Sequence, residues 1–533
     1  MSKIIDRIAT AVAKRIVKGA SSIYNNRGTN QQTSNYRPFF PTDPNFMASI
    51  EVDEAQQRAA GLYYENPVAA GIVNAMVDGA IGIGLQVQSY AKSRILETIG
   101  VTPEQIAETQ RLIETYWNLW SNNPELCDHY HRQTFGSLQR EAYINASVNG
   151  DMIQHIKIVR FGGIYFPQIQ NISGAVLKSP NSADDKKIAA GVEVDASGRD
   201  IAYYIEVVDK NLMTGTIKRF PKYGERSKRL MYNLVMLGVT DPAQRRGRSV
   251  ITRVAESIIQ MKRYSEAELT KAILQSYLTL FIETAKDADA DESINPITQL
   301  TESSNAFKAY NADGTEATTE GTFEHENQVT LGPGMVWELP AGKNANLPEN
   351  KAPVAEFWSF MEAQLKLIGM AVGIPYEVLI KSFNASYSAS QASIQDAARG
   401  WKIASQEWSY KYCQPVYEQF VELLVRQQLI DAPGFLDAPI YRKAWCASEW
   451  HGPAVLHVDP RKSVDASVLA IKYRLSSREI ESRKLFGHEW EAVEQRLAEE
   501  EAIIAADGAD PSIQEPQPQR NDDNPDDNKG DTK

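Results

Sequence analysis

An α+β fold is what this sequence predicts, with one β-rich block interrupting a mostly helical chain. Two patterns carry that expectation. Apolar residues recur at helical spacing before residue 150 and again after residue 249, whereas from Met152 to about Val239 they alternate at period two. Gly and Pro clusters punctuate the joins between these runs.

At the start of the chain, Ile4, Ile5, Ile8, Val12 and Ile16 share one helical face, flanked by Lys3, Arg7, Lys14, Arg15 and Lys18. Charges interrupt the pattern too often for a secretory signal. With no run of about 18 apolar residues anywhere, no membrane anchor is expected. The pattern suits a helix that docks on a partner or on the chain's own body. Residues 21–50, rich in Asn, Gln, Ser, Thr and Pro around Tyr36-Arg-Pro-Phe-Phe40, read as an extended arm.

From Glu54 the pattern is helical, and Asn66-Pro67 opens a second helix with an apolar face reaching Val77. It stops at Gly79-Ala-Ile-Gly-Ile-Gly-Leu85 and feeds a strand at 85–88. These glycines lack the G-x-G-x-x-G spacing, and a helix precedes them where a phosphate loop needs a strand, so nucleotide binding is not expected. Helices follow at about 103–121 and 134–149, the second with Thr134 as N-cap.

Within the β-rich block, Ile153-Gln-His-Ile-Lys-Ile-Val159 alternates cleanly, and the turn Asp195-Ala-Ser-Gly198 joins two strands of a hairpin. Glu193 and Asp195 have no His partner and read as solvated turn residues rather than a catalytic pair.

Ser249 is the expected cap of a helix over 249–272 with Ile251, Val254, Ala255, Ile258, Ile259 and Met261 as its stripe. Residues 273–284 read as a strand, and 285–325 as a mobile surface insertion. Strands resume at 327–339 around the turn Gly332-Pro-Gly334, placing Trp337 and Leu339 at alternate positions. Pro353 opens a helix to about Val372, with Phe357, Trp358, Met361, Leu365 and Ile368 inward. Gly373-Ile-Pro375 stops it, a loop of small polar residues follows, and a Ser- and Ala-rich helix runs to Leu429. A bend is expected near Pro415, which cannot donate to the helical ladder. Residues 507–533 carry eight acids and three bases and read as a disordered tail.

Charge and composition exclude several function classes. The net charge of −12 has the wrong sign for a protein that grips nucleic acid through phosphates. Cys127, Cys413 and Cys446 are few, odd in number and far apart, which indicates neither a disulfide framework nor a zinc site. His451, His457 and Asp459 straddle a proline in a loop-like segment, and His129 and His131 beside Cys127 lack an orienting third group, so neither set is expected to bind metal or act as a nucleophile. Walker A, H-E-x-x-H and G-x-S-x-G motifs are absent. No catalytic residue, metal or cofactor is assigned.

The segment 450–501 carries an ordered set of pieces: Trp450-His-Gly-Pro453, His457-Val-Asp-Pro-Arg461, Leu475-Ser-Ser-Arg478 and Phe486-Gly-His-Glu-Trp-Glu491. Together they resemble the C-terminal signature of the lambda-like family of phage portal proteins. Upstream stretches are similar to that family in the same order: Arg58 with Asn66-Pro67 and Gly82-x-Gly84, the hairpin at 191–205, Asp241-Pro-Ala-Gln-Arg-Arg-Gly-Arg-Ser-Val250, and 373–399 with Asn384-Ala-Ser-Tyr-Ser388. One departure is Arg474, where the family usually has Gly, a residue that reaches positive φ at little steric cost.

The resemblance implies a phage portal fold, assembled as a ring usually of twelve subunits at one capsid vertex. It implies an N-terminal arm (1–50), an α+β wing (51–248), a stem of helices 249–272 and 346–372, and a clip (273–345). It further implies a channel loop with the start of a long helix (373–399), a wing helix and return (400–445), a crown (446–505) and an acidic tail (506–533). The implied partners are further copies of the chain, the terminase large subunit, the major capsid or scaffold protein, a head-completion adaptor and double-stranded DNA held without sequence preference. The location implied is the virion, with the host cytoplasm during assembly. Lys381, Ser382, Phe383, Asn384, Ser386 and Tyr387 are the candidates for a loop facing DNA, and Trp337 and Leu339 for a clip interface. The competing reading is a phage or bacterial DNA-processing enzyme with an unrecognised site.

Overall fold

The computed structural model describes residues 44–180, 188–208, 215–240, 242, 244–282, 335–338, 357–382, 387–453, 460–486 and 490–506. The N-terminal amphipathic pattern, the insertion at 285–325 and the tail from 507 lie outside them.

Helices α1 (Pro44–Glu65), α2 (Pro67–Ala80), α3 (Pro103–Ser121) and α4 (Phe135–Asn149) begin where local chemistry directs. The side chain of Asn66 accepts from the amides of Val68 and Ala69, and Thr134 accepts from Ser137. Thr102 and Gln105 form a reciprocal capping box. Between α2 and α3 lies β1 (Gln86–Ser89), which pairs antiparallel with the distant β11 (Ser448–His451).

Strands β2 (Asp151–Phe161) and β3 (Ile164–Ser173) form a long hairpin joined on its other side by β8 (Tyr232–Met236). A second antiparallel sheet orders β4 (Ile188–Ala189), β5 (Val192–Val194), β6 (Asp200–Val208) and β7 (Gly215–Pro221). The expected turn at Asp195–Gly198 joins β5 and β6, and the Asp195 side chain accepts from the amides of Ser197 and Arg199. Glu193 departs from expectation: it is bonded to Arg219 at 2.7 Å rather than simply solvated.

Three pieces meet at a buried ion pair. Arg246, 1% exposed, donates from Nε and Nη2 to both oxygens of Asp151 at 2.7 and 3.0 Å, and onward to the carbonyls of Gly174 and Ala190. A side chain on Gly247 would stand 1.8 Å from the Gly150 carbonyl oxygen, so only glycine lets this turn lie against the sheet.

That docking moves the next helix. Val250 donates to the Ser147 carbonyl, and Ser249 Oγ accepts from Ile251 while donating to the same carbonyl. Ser249 is therefore not a helix cap but precedes a short 3-10 turn (Ile251–Arg253), and the α-helix α5 starts at Ala255, later than the expected 249. It continues to Tyr277, past the expected strand start at 273, and β9 (Leu278–Ile282) follows. β9 pairs in parallel with β10 (Met335–Glu338).

Helix α6 (Phe357–Val372) ends at Gly373, whose φ is +73°. The short helix α7 (Tyr376–Leu379) and the long helix α8 (Tyr387–Trp408) come next. The bend expected at Pro415 is a π-helical stretch, Ser409–Cys413, before α9 (Gln414–Arg426). Pro415 cannot donate to the Lys411 carbonyl, and Asn233 Nδ2 supplies that bond at 2.8 Å; Gln154 likewise serves the Tyr412 carbonyl at 3.0 Å. The sheet thus completes what the helix leaves unpaired.

The main core lies where α3, α4, β3 and α9 converge. Trp117 packs on Trp120 at 4.7 Å and on Phe420 at 5.2 Å, and Trp408 stacks on Tyr412 at 4.9 Å. Two of the buried indoles are hydrogen-bonded: Trp120 donates to the Pro167 carbonyl and Trp445, in α10 (Pro439–Trp445), to that of Pro433. The chain closes with helices α11 (Pro460–Lys472), α12 (Arg478–Phe486) and α13 (Trp490–Ala506).

Candidate functional site

Two helices far apart in the chain, α5 and α6, come together through aromatic contact. Tyr264 stacks on Phe357 at 5.5 Å and tilts against Phe360 at 4.6 Å. The pair leaves much apolar surface uncovered. Ile368 is buried, but Trp358 and Met370 are each 77% exposed, with Leu269 and Leu367 also open. Trp358 was expected inward; the Tyr264 contacts turn the Phe357 and Phe360 edge of the helix to α5 instead. Exposed apolar area of this kind marks an interaction surface.

The turn from α6 into α7 is tight. Ile374 donates to the Gly369 carbonyl at 3.0 Å, and a Cβ on Gly369 would meet the Ile374 oxygen at 2.5 Å. Helix α7 is fastened to α8 by Ser393 Oγ donating to Glu377 Oε2 at 3.3 Å. It ends in a left-handed cap: Lys381 has φ +53°, its amide donates to Val378, and the amide of Ser382 reaches back to Glu377. Lys381 is exposed and Ser382 half-buried. Phe383, Asn384 and Ser386 lie outside the described residues, and for Tyr387 only its place at the start of α8 is described.

Charge around this segment is nearly balanced. Residues 357–402 contain Lys366, Lys381, Arg399 and Lys402 against Glu362, Glu377 and Asp396. Lys366 is bonded to Glu362 at 2.8 Å, which holds its ammonium above the ordinary lysine range. Helix α8 itself is held to α2 by close packing: a Cβ on Gly79 would collide with the Trp401 ring, and Ser405 donates to the Ala80 carbonyl at 2.5 Å.

In the strand pair, Trp337 lies opposite Phe281 and Val336 opposite Leu280. Leu339 lies outside the described residues.

The C-terminal helices answer the question raised by Arg474. Its φ is +58°, the left-handed conformation that glycine takes most readily. Leu475 donates to Ala470 and Arg474 to Ile471, the paired bonds of a Schellman cap. The turn geometry survives the substitution. Ser477 caps α12 by accepting from Ile480, and Ser467 donates to the buried Glu481 at 2.5 Å.

Of the titratable clusters noted in the sequence, the one around Cys127 is fully described. His129 lies 3.1 Å from the Lys157 ammonium; its pKa is lowered, first by burial and then by Lys157. His451 pairs with Gln88, while His457 and Asp459 are outside the described residues. Burial pushes the Cys127 thiol up to about 12, and Cys413 and Cys446 upward as well, away from reactive thiolates. Among the described residues no group of three metal-ligating side chains occurs and no helix is long and apolar enough to cross a membrane. Sequence reasoning missed the Asp151–Arg246 pair and the buried Glu422. That carboxylate accepts from Arg426 at 2.7 Å and Arg229 at 3.1 Å and pairs with Arg442 at 2.7 Å. Burial works to raise the Glu422 pKa, but the three guanidiniums outweigh it and hold the group below its ordinary value.

A family model described as phage portal protein, lambda family, matches residues 31–404. Portal protein B of Escherichia phage lambda is 23% identical over 439 residues, spanning 80% of this chain and 79% of that protein. The portal protein of Escherichia phage N15 is 24% identical over 451 residues, spanning 80% of each. Among solved structures, the neck of a native gene transfer agent particle computed with C12 symmetry covers 85% of this chain and 96% of its own at 14% identity and a TM-score of 0.38. The neck of the empty particle, computed with C6 symmetry, matches over the same shares at 14% identity with a TM-score of 0.41. Likenesses that loose do not place one element against another.

Proposed function

We propose, from the premise that this chain belongs to the lambda family of phage portal proteins, that twelve copies form a ring at one capsid vertex. Double-stranded DNA enters and leaves through it. The family is structural and non-enzymatic, so the competing reading as a DNA-processing enzyme falls away. Terminase docks on the ring during packaging, and head-completion proteins replace it afterwards.

The observation that carries this reading is the uncovered apolar surface on α5 and α6, for which neighbouring subunits are the natural cover. On this assignment the α+β body up to residue 248 is the wing, with α8 and α9 packed against it. Helices α5 and α6 are the stem, β9 and β10 part of the clip, and α11 to α13 the crown. Residues 381–387 face the DNA. Their near-neutral surroundings fit a duplex that slides, since a ring of strongly basic loops would bind phosphates with steep salt dependence and stall it.

A packaging assay tests the reading. Heads assembled with this protein should fill with DNA, and heads assembled without it should stay empty; equal filling would refute the portal role. Deleting Phe383 to Ser386 should leave rings intact yet impair packaging or retention. Full packaging and retention in that variant would remove the loop from the DNA path.

A further inference from the structure

Helix α13 is held at its start, where Trp490 is half-buried under Arg478, but its apolar edge from Val493 on is left open by the described chain. Trp490, Val493 and Leu497 recur at spacings of three and four, and every residue from Val493 to Ala502 is exposed, with Val493 at 36% and Leu497 at 46%. A helix of this length draws most of its stability from packing one face, so a stretch exposed on every side from Val493 to Ala502 implies a missing partner.

Charge says which partner fits. Over Trp490–Ala506 there are five acids, Glu491, Glu494, Glu499, Glu500 and Glu501, against the single base Arg496. A second copy of α13 would bring the same surplus of negative charge to the contact and be repelled. Residues 3–18 of this chain have the opposite character: five bases and one acid, with Ile5, Ile8 and Val12 at spacings of three and four. The two segments match in apolar period and oppose in charge. The intervening 19–43 could extend about 80 Å at full stretch, so reach within one chain or to an adjacent subunit is not limiting.

We propose that the basic amphipathic segment 3–18 docks along the Val493–Leu497 edge of α13, its cations facing the glutamates that flank that edge. The interaction ties the beginning of the sequence to its last described helix. It does not depend on the portal assignment, because it follows from helix exposure and charge alone.

Cysteine cross-linking in the full-length protein tests it, with low background because Cys127, Cys413 and Cys446 are buried. Ile8→Cys with Leu497→Cys should cross-link readily on mild oxidation. The off-face controls, Thr10→Cys with Leu497→Cys and Ile8→Cys with Gln495→Cys, should yield several-fold less. Adding Glu494→Lys and Glu501→Lys should abolish the cross-link, and adding Arg7→Glu and Arg15→Glu to that protein should restore it. Equal yields in the controls would overturn the proposal, as would a dominant Leu497–Leu497 product, which would mean that a second copy occupies the edge. Loss of the cross-link when anionic phospholipid vesicles are added, with the protein co-sedimenting on them, would overturn it in favour of a membrane surface.

Discussion

In the body built from α1 to α4, the two larger antiparallel sheets, the end of α8, the π-helical stretch and α9, the largest aromatic side chains are buried by the chain itself. Trp117, Trp120, Trp408 and Tyr412 have almost no exposure, and Arg246 and Glu422 sit inside with their charges matched. In the helix pair α5 and α6 the balance reverses, with Trp358 and Met370 largely open. The contrast separates two ways of becoming stable. The body closes over its own core, whereas on the proposed assembly the helix pair finishes its packing when copies meet. Mutations in the first region should therefore act at any protein concentration, and mutations in the second only through assembly.

The largest effects should come from the body. Asp151→Ala leaves the Arg246 guanidinium buried without its partner and should cost about 3–5 kcal/mol. Trp117→Ala should cost a similar amount by opening a cavity. Denaturant unfolding should show both losses unchanged across a dilution series; a loss that grows on dilution would erase the distinction between the regions.

Next comes acid. His155 stacks on Tyr232 at 4.1 Å, and burial lowers its pKa from 6.5 to about 4, with Lys157 and His129 adding to the shift and a bond to Gln170 opposing it. The folded state thus prefers the neutral ring. Its contribution is fully present above pH 6.5 and is lost as pH falls toward 4, a swing of roughly 2–3 kcal/mol. Melting curves between pH 7 and 4 should show that slope, and His155→Gln should flatten it.

For the helix pair, Trp358→Ser should leave the melting of dissociated subunits unchanged while weakening assembly by about 2 kcal/mol, some thirtyfold in association, if it is a central contact. Association measured by light scattering on dilution would decide this. Unaltered assembly would move the interface away from Trp358.

The smallest effect belongs to the C-terminal helices. Arg474→Gly relieves a left-handed backbone and should stabilise the α11–α12 junction by up to about 1 kcal/mol. Slower hydrogen exchange in 460–486 would register the gain, and faster exchange would show that the arginine side chain matters more than its backbone.

Legibility in the sequence followed locality. Pro67, Thr134 and the Asp195–Gly198 turn act within three or four residues, so their roles were readable directly. The bend at Pro415 was equally plain, because the missing N–H is a property of the residue. Its cure was not, since Asn233 and Gln154 reach it from β strands far away in the chain. The same holds for Asp151 and Arg246, 95 positions apart, and for the delayed start of α5, which depends on where Gly247 meets Gly150. Trp358 was misplaced because helical periodicity fixes a stripe but not which edge of it a neighbour will take. Arg474 shows the converse: a residue that disfavours a turn was accommodated by two backbone bonds.

The central claim is that this chain completes itself as a ring. Electron microscopy of the purified protein, with sedimentation across micromolar concentrations, tests it most directly. The expected result is a ring of about twelve subunits with an axial hole, formed without nucleotide or metal. Compact monomers at every concentration and salt, with no ring in any field, would contradict it.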